Sequence, residues 1–342
     1  MRYYNITISP PTANPNQFQP FSFSSQSNGV DNYSSLQLDL DIYQNAFHQY
    51  SSNGYIRLMG VDLKQLNNSA NINPQVTEDG SKINLCKIKV EIGMSKGLPY
   101  ANPQQRGVIA QGGILQAFGN WQGTSVSLDI VLAPIAVDQN ALNNITFSIE
   151  KGQELTDAVK LALQNSYKNP DGTPANVIGS FKQGLKYTEQ AYAQHFNLFT
   201  LSSAVNRISR QIDPSPSYTG AIITATNTGF YLTDSGITPT ATKVIKFTDV
   251  IGNLTWLGIN TISAKVVMRG DLNVGDYISF EQGLPISNII NNQSQYRNKI
   301  SFNGTFFVTK LHHVGSSRNF DGNSWVTVIE AIIPGTPLGQ TL

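Results

Sequence analysis

The stretch that decides the fold is Leu36-Gln37-Leu38-Asp39-Leu40-Asp41-Ile42. Apolar and polar residues alternate in it without exception, which is the pattern of a β-strand with one buried and one exposed face. Tyr55-Ile56-Arg57-Leu58 follows across the turn-forming Ser51-Ser52-Asn53-Gly54 and is the predicted partner strand. The carboxylates Asp39 and Asp41 share one face of the strand, and we expect that face to meet solvent or a partner.

More strand patterns occur within the first 135 residues. Ile83-Asn84-Leu85 and Ile88-Lys89-Val90-Glu91-Ile92 alternate in opposite phases, so a bulge or bend is predicted between them. One strand is predicted within Val108–Phe118 and another over Thr124–Leu132. Residues 1–35 are rich in Pro, Ser and Phe and are predicted to form loops and edge pieces, because proline removes a donor from a strand ladder.

The pattern changes after the first 135 residues. Apolar residues recur at helical spacing over residues 153–167 and predict a helix. A second helix is predicted from Leu201 to Gln211, with Thr200 as its N-cap. Short strands are predicted at Ala221–Thr224 and Phe230–Leu232. This part of the chain is therefore expected to be a small α/β domain.

Strand patterns return from Lys243 onward. They occupy Ile259–Met268, Tyr277–Phe280, Thr305–Leu311 and Trp325–Ile333. Strand after strand without a helix favours a barrel or a sandwich. The predicted fold class is thus mainly β with a small α/β insertion and two β-barrel domains. The predicted boundaries are 1–135 for the first β-barrel domain with its Pro/Ser/Phe-rich N-terminal segment, 136–242 for the α/β domain and 243–342 for the second β-barrel domain.

The charge balance argues against nucleic-acid binding as the main function. The chain has 23 basic and 22 acidic residues, and only 13% of its 342 residues are charged. Proteins that bind nucleic acid through its phosphates need an excess of cationic side chains on one face. A neutral, amide-rich surface can instead pack against identical neighbours without strong repulsion.

The single cysteine, Cys86, excludes an intramolecular disulfide and is expected to be a buried free thiol. The N-terminal residues do not form a secretory signal, and no segment reaches the roughly 20 apolar residues that span a membrane. We therefore expect a soluble protein that is made in a reducing cytoplasm.

Residues that could carry chemistry do not occur in catalytic patterns. A zinc site needs three or four ligands, and none of the four histidines stands in a ligand motif. His312 and His313 are neighbours in a strand, so their rings are predicted to point to opposite faces. The sequence shows no nucleophile elbow, phosphate loop or dinucleotide fingerprint. No enzyme activity, no metal and no cofactor are predicted.

Several short motifs resemble those of phage baseplate hub proteins, and they follow one another in the same order. Ser95–Pro99 and Gly113–Gly123 resemble the first barrel of hubs from Mu-like and related contractile phages. Thr255–Gly258, Val274–Ile278, Gly304–Gly315 and Trp325–Thr327 are similar to the C-terminal barrel of the family. The residues that carry the resemblance are Gly119, Asn120, Trp121, Trp256, Gly275, Asp276, His313, Arg318 and Trp325.

The resemblance implies a structural virion protein rather than an enzyme. A hub of this family is a homotrimer whose paired barrels form a pseudo-sixfold ring between a trimeric spike and the hexameric tail tube. The implied partners are the spike, tail tube or tube-initiator proteins, and wedge and tape-measure proteins. DNA would meet the ring only in transit, and no stable membrane binding is expected. The implied location is the tail baseplate of a virion assembled in the bacterial host cytoplasm.

Two segments depart from the resemblance, namely residues 1–35 and the amide-rich loop Asn288–Asn298. Two other functions stay open on the sequence alone. One is a carbohydrate-binding adhesin of the tail, in which an exposed aromatic such as Trp121 would stack on sugars. The other is a peptidoglycan hydrolase, which would need a carboxylate pair or a Cys/His cleft. Under the hub interpretation, Trp325 is predicted to lie inside the second barrel or at its mouth, beside one of His312 and His313.

Overall fold

The structure is a computed structural model, and it describes most of the chain. The described residues are 2–11, 14–45, 53–67, 69–76, 83–95, 103–133, 144–168, 173–215, 218, 220–226, 229–234, 242–258, 260–281, 302 and 304–334. Residues 51–52 of the predicted turn Ser51–Gly54 and the amide-rich loop at 288–298 lie outside them, whereas Asn53 and Gly54 begin a strand that runs to Met59.

Strands make up most of the regular structure. The strands are β1 (Arg2–Ser9), β2 (Phe21–Ser24), β3 (Gln26–Ser27), β4 (Val30–Asp31), β5 (Gln37–Asn45), β6 (Asn53–Met59), β7 (Gln75–Val76), β8 (Ile83–Asn84), β9 (Lys87–Met94), β10 (Gly107–Gln122), β11 (Ser125–Leu132), β12 (Ile145–Ile149), β13 (Val177–Gly179), β14 (Ala191–His195), β15 (Ala221–Thr226), β16 (Gly229–Asp234), β17 (Thr242–Ile245), β18 (Thr255–Trp256), β19 (Thr261–Val267), β20 (Tyr277–Phe280), β21 (Thr305–Ser316) and β22 (Trp325–Ile332). The helices are α1 (Leu63–Asn67), α2 (Ser69–Ile72), α3 (Leu155–Ser166) and α4 (Leu198–Ile212), and short 3-10 turns lie at Pro103–Gln105 and Phe247–Asp249. The prediction of a mainly β chain with a small α/β part is confirmed.

The alternating stretch Leu36–Ile42 forms most of β5. Leu38, Leu40 and Ile42 are buried, whereas Asp39 and Asp41 lie on the opposite face. The strand pairs antiparallel with β6, as predicted, and places Asp39 opposite Arg57. Burial of every second residue therefore explains why the strand forms here.

One sheet of 13 strands runs through both ends of the chain. Its order is β18-β19-β22-β21-β5-β6-β11-β10-β9-β1-β2, and β20 joins it beside β21 and carries β17. The decisive strand is β21, because it pairs with β22 on one side and with β5 on the other. The first and last parts of the chain therefore share one hydrogen-bonded sheet.

The prediction that residues 1–35 form only loops and edge pieces is wrong for β1. This strand lies between β2 and β9, and it buries Tyr4, Ile6 and Ile8. The prolines of the N-terminal segment all follow it in the sequence, from Pro10 onward. They therefore do not interrupt the ladder, and the alternation of apolar residues before them decides the structure.

The first β region is completed by a helical segment. The early half of β10 pairs with β9, and its later half pairs with β11. The short helices α1 and α2 pack beside this later half. Asn71, in α2, accepts a hydrogen bond from the Gln17 side chain at 2.6 Å, which links the helices to the segment before β2. The two short helices therefore pack against the first β region beside the later half of β10.

The second β region closes through its own strands. The pairs β17–β20, β20–β21, β21–β22 and β22–β19 follow one another around it. Beyond β17 the chain returns to β19, where Val250 forms a bridge with Val266 and the Ile251 N–H bonds to the Lys265 carbonyl at 2.8 Å. This closure leaves the apolar residues on the inside.

The part between the two β regions contains the predicted helices and strands. Helix α3 buries one face that includes Leu155, Val159 and Leu163. Helix α4 begins earlier than predicted, and its N-cap is Asn197 rather than Thr200. The Asn197 side chain accepts the Thr200 N–H at 2.9 Å, so Thr200 is the third helical residue of a capping box. Strands β12 and β14 form one small sheet, and β13, β16 and β15 form another.

Three buried apolar clusters follow the chain. The N-terminal core includes residues from Tyr4 to Leu132, the middle core residues from Ile145 to Leu232, and the C-terminal core residues from Ile245 to Ala331. Met268 and Trp325 belong to the N-terminal core although they come late in the sequence. The predicted boundary near 135 falls outside the described residues, whereas the one between 242 and 243 falls at the start of β17. None of the helices described is long and apolar enough to cross a membrane.

Candidate functional site

The N-terminal and C-terminal cores meet along β5, β21 and β22. Seven consecutive residue pairs join Asp39–Asn45 to Lys310–Ser316. Around this ladder lie a buried tryptophan, a buried histidine and a buried ionic cluster. We call this contact the seam. It comprises the β5–β21 ladder and eight further residues, namely Gln105, Gly107, Asp249, Arg269, Gly270, Asp271, His313 and Trp325.

Trp325 is buried as predicted, but its side chain lies in the N-terminal core and not in the core of the second β region. Its side chain is 3% exposed and belongs to the N-terminal core. The indole Nε1 donates to the Gly93 carbonyl at 2.9 Å, and the ring lies against Gly315, its register partner. A side chain at Gly315 would occupy the place of the indole ring. Because β22 begins on the N-terminal side of the seam, its first residue reaches the other core.

The two neighbouring histidines point to opposite faces, which confirms that prediction. His313 is fully buried, and its Nδ1 lies 3.0 Å from the Thr327 hydroxyl. Its Nε2 has no hydrogen-bond partner within the described part of the chain. Burial, together with the charge of His312, lowers the pKa of His313 to about 3. His312 lies on the exposed face, where its Nε2 is 2.7 Å from Asp41.

A buried ionic cluster crosses the seam, and the sequence did not predict it. The Arg269 guanidinium contacts Asp249 at 2.9 Å and Asp271 at 2.7 Å. Gln105, from the N-terminal region, donates to the same Asp249 carboxylate at 3.0 Å. Arg269 and Asp249 are each less than 5% exposed. Arg269 and Asp271 are near neighbours in the sequence, but Asp249 and above all Gln105 lie far from them, so only the fold brings the four together.

Two glycines allow the backbones to touch at the same place. A Cβ atom on Gly107 would collide with the Gly270 carbonyl, and one on Gly270 would collide with the Ile92 carbonyl and with Gly107. The Gly270 N–H donates to the Gln105 carbonyl at 2.9 Å. The turn at Gly270 is therefore also a point of close approach between the two β regions.

A second ionic cluster lies on the face of the shared sheet that points away from the core. Its central residue, Asp129, is itself fully buried, because it is covered by neighbouring side chains, whereas its strand partner Arg57 is partly exposed. It accepts hydrogen bonds from the Tyr55 hydroxyl, from Arg57 Nε at 2.6 Å and from the Ser127 hydroxyl at 2.9 Å. Burial by itself would raise the pKa of Asp129, but these three donors outweigh it, and the pKa is lowered.

The resemblance motif Gly113–Gly123 forms the end of the β10–β11 hairpin, whereas residues 96–99 of the motif Ser95–Pro99 lie outside the described part of the chain. Gly123 has a φ of +59°, which suits the tight turn. Trp121 is 63% exposed, and its Nε1 donates to the Gly123 carbonyl at 2.8 Å. Gly119 lies against Leu66 of α1, which would collide with any Cβ atom at that position. Asn120 pairs with Ser127 across the hairpin.

Gly275 and Asp276 lie where the C-terminal β region meets the α/β part. Gly275 has a φ of +94°, and a Cβ there would come within 3.5 Å of the Tyr231 ring. The Asp276 carboxylate accepts hydrogen bonds from Lys243 at 2.7 Å and from the Asn273 N–H at 2.6 Å. Burial raises the pKa of Asp276 in spite of the opposing effect of Lys243.

The remaining two resemblance residues, Trp256 and Arg318, make packing and hydrogen-bond contacts within the fold. Trp256 is buried in the C-terminal core and stacks on Phe302 at a centroid distance of 5.3 Å. Arg318 follows β21 and donates to the Ser35 carbonyl, which fastens the β21–β22 turn to the segment before β5. The structure thus brings His313 and Trp325 into the seam but leaves the other resemblance residues at separate places.

The described residues contain no group of three or more His, Cys, Asp or Glu side chains that could hold a metal. Cys86 is buried, and burial raises the pKa of its thiol to about 11, so it is not a reactive thiolate. A shallow cleft lies on the outer face of β1, β9 and β10, where Lys87 and Lys89 are its charged residues. The arrangement as a whole stabilises the contact between two β regions.

No protein-family model matches the chain, and no curated protein sequence matches it. Several solved structures have a similar chain fold. The 43 kDa tail protein of prophage MuSo2 from Shewanella oneidensis is 10% identical, with 98% of this chain and 97% of that chain covered at a TM-score of 0.49. A tail protein from Neisseria meningitidis MC58 is 11% identical, with 97% of each chain covered at a TM-score of 0.44.

A third similar structure comes from Escherichia coli. It is described as a component of the type VI secretion system with structural similarity to tail proteins of bacteriophage T4. It is 10% identical, and 88% of this chain and 74% of that chain are covered at a TM-score of 0.48. Two of these three structures are thus tail proteins, and one is a component of a secretion system.

Proposed function

We propose that this chain is a structural subunit of a phage tail, a baseplate hub that forms a trimeric pseudo-sixfold ring between a trimeric spike and the hexameric tail tube. The observation that carries the proposal is the seam. It joins two β regions, each with its own core, through a shared sheet. Three such two-lobed subunits would present six similar lobes around one axis.

The composition of the seam supports a load-carrying role. A ladder of seven residue pairs, a buried tryptophan and a buried ionic cluster all oppose rotation of one region against the other. Relative motion of domains is expected when an interface is small and polar, and a continuous sheet removes that freedom. A rigid subunit is what a ring that joins spike and tube needs.

The same proposal names the partners. They are two further copies of this chain, a trimeric spike, and tail tube or tube-initiator proteins, with wedge and tape-measure proteins as further neighbours. The nearly neutral charge of the chain would let DNA pass the ring without tight binding. The order of the hub-like motifs along the sequence, from Gly119 to Trp325, also supports this role.

Light scattering at micromolar concentration tests the assembly. The expected mass is three times 37.4 kDa, or a monomer that becomes a trimer when its spike is added. Electron microscopy of the trimer should show six similar lobes around a channel. A stable dimer both with and without the spike would refute the proposal.

A second candidate function rests on the exposure of Trp121. An exposed indole can stack on a sugar ring, as it does in carbohydrate-binding proteins, so a tail adhesin is the alternative. A glycan array with wild-type protein and with Trp121→Ala separates the two functions. An adhesin would bind defined glycans and lose them on substitution, whereas a hub would bind none. Clearing of a cell-wall suspension would instead reveal the hydrolase considered above.

A further inference from the structure

The later half of β10 presents an edge with which no strand of the described chain pairs. Gln122 and Ser125 are register partners on either side of the two-residue turn Gly123-Thr124, so they exchange ladder hydrogen bonds. Bonded and non-bonded pairs alternate along an antiparallel ladder. Gly119 and Trp121 therefore direct their N–H and C=O groups away from β11.

Ala117 shows how outward-facing main-chain groups of this strand can be hydrogen-bonded. It has the same phase as Gly119, and its N–H donates to Asn73 Oδ1 at 2.7 Å. The Asn73 amide in turn donates to the Ala117 carbonyl at 2.7 Å. The side-chain amide thus takes the place of a peptide group from a neighbouring strand. Within the described chain, nothing plays this part for Gly119 and Trp121, so the edge is open at the end of the hairpin.

The side chains at this edge are apolar and exposed. Trp121 is 63% exposed, and Phe118 is 41% exposed on the opposite face of the strand. A strand added at the edge would contact both aromatic rings through its alternate side chains. Proteins that keep an edge strand solitary place charged residues or prolines on it. The hairpin from Gly107 to Leu128 contains neither.

We propose that this edge of β10, at Gly119 and Trp121, pairs with an extended strand of a second copy of this chain; the proposal rests on the homotrimer of the proposed function. Main-chain groups at the edge would supply the hydrogen bonds, and Trp121 and Phe118 would supply the apolar contact. The 23 basic and 22 acidic residues leave identical copies without strong mutual repulsion. An edge of this kind, on a strand that itself contains no charged residue, is suited to a copy of the same neutral protein.

The first test places a charge on the edge. Trp121→Lys should raise the concentration at which the trimer dissociates by at least roughly tenfold in light scattering, because an edge lysine opposes strand addition. Gln111→Lys is the matched control. It adds the same charge to the same strand, at an exposed residue whose strand pairs with β9. The control should assemble like the wild type.

The second test reads the edge directly and does not depend on the lysine variant. In the wild-type trimer, hydrogen exchange at the Gly119 and Trp121 amides should be at least roughly tenfold slower than in the dissociated chain. Trp121→Pro removes an N–H that points away from β11 and should weaken assembly while the hairpin persists.

Three outcomes overturn the inference. A trimer whose Gly119 and Trp121 amides exchange as fast as in the dissociated chain would refute the edge contact and leave the ring intact. A Trp121→Lys chain that assembles like the wild type would do the same. A wild-type chain that is monomeric at every concentration, with or without the spike, would refute the homotrimer as well.

Discussion

The seam between the two β regions differs in kind from the junction that holds the α/β part. At the seam, seven residue pairs of β5 and β21 form a ladder, and Trp325 and Arg269 are buried across it. At the junction, Gly275 lies against Tyr231, and the Thr233 and Tyr277 hydroxyls are 3.4 Å apart. The α/β part also has its own core. The two β regions therefore act as one body, and the α/β part is attached to that body.

Trp325→Ala should produce the largest loss of stability. Removing a buried tryptophan costs about 3–5 kcal/mol of unfolding free energy. Here the substitution leaves a cavity in the N-terminal core, although the residue belongs to a C-terminal strand. Trp121→Ala is the matched control and should change the unfolding free energy by no more than about 0.5 kcal/mol in the dissociated chain. Urea unfolding of both variants measures the difference. Equal stabilities would show that Trp325 does not hold the seam together.

Arg269→Met should come next, at about 3 kcal/mol, because it leaves the buried Asp249 carboxylate without its cation. Lys182→Met is the control, since Lys182 forms a largely exposed pair with Asp213 at 2.8 Å. Solvent screens such a pair, so its loss should change the unfolding free energy little. Unfolding of the two variants under the same conditions gives the comparison. A smaller loss for Arg269→Met than for Lys182→Met would contradict a structural role for the ionic cluster.

The pH dependence of the seam should follow His313. In the unfolded chain this histidine binds a proton as the pH falls below its ordinary pKa of 6.5, whereas in the folded chain its pKa is about 3. Its contribution to stability is complete above pH 6.5 and is lost as the pH falls toward 3, at about 1.4 kcal/mol per pH unit.

His313→Gln should remove this dependence. Between pH 7.5 and 4.5 the wild type should lose roughly 2–3 kcal/mol more than the variant, because only the wild type carries the buried imidazole. Other acidic and basic groups change both proteins equally and cancel in the comparison. Parallel stability curves for the two proteins would mean that His313 is not held in its neutral form.

Tyr277→Phe tests the weaker side of the comparison. It removes only the hydroxyl contact with Thr233, so the loss should be about 0.5–1 kcal/mol. The α/β part should keep its own unfolding transition, because its core does not include Tyr277. Calorimetry checks both points. A loss as large as that of Arg269→Met would show that the junction is as firmly built as the seam.

The strands and helices were largely predictable from the sequence. Leu36–Ile42 alternates strictly, and burial of one face turns such a pattern into a strand. Trp325–Ile333 is rich in apolar and β-branched residues on both faces, which also favours a strand. The errors came from signals that compete with periodicity. The prolines of the N-terminal segment compete with the alternation of β1 as a signal. Thr200 fits a cap only for a helix that starts at Leu201, whereas α4 starts at Leu198.

By itself, the sequence determined the mainly β class, the opposite orientation of His312 and His313 and the burial of Trp325, because periodicity reports which face of a strand is buried. It did not determine which core Trp325 enters, or that Gln105, Asp249 and Arg269 form one cluster. Those facts depend on β21 pairing with β5, a contact between residues more than 250 positions apart. Periodicity carries no information about the partner of a strand, so only the tertiary structure decided where the two β regions meet.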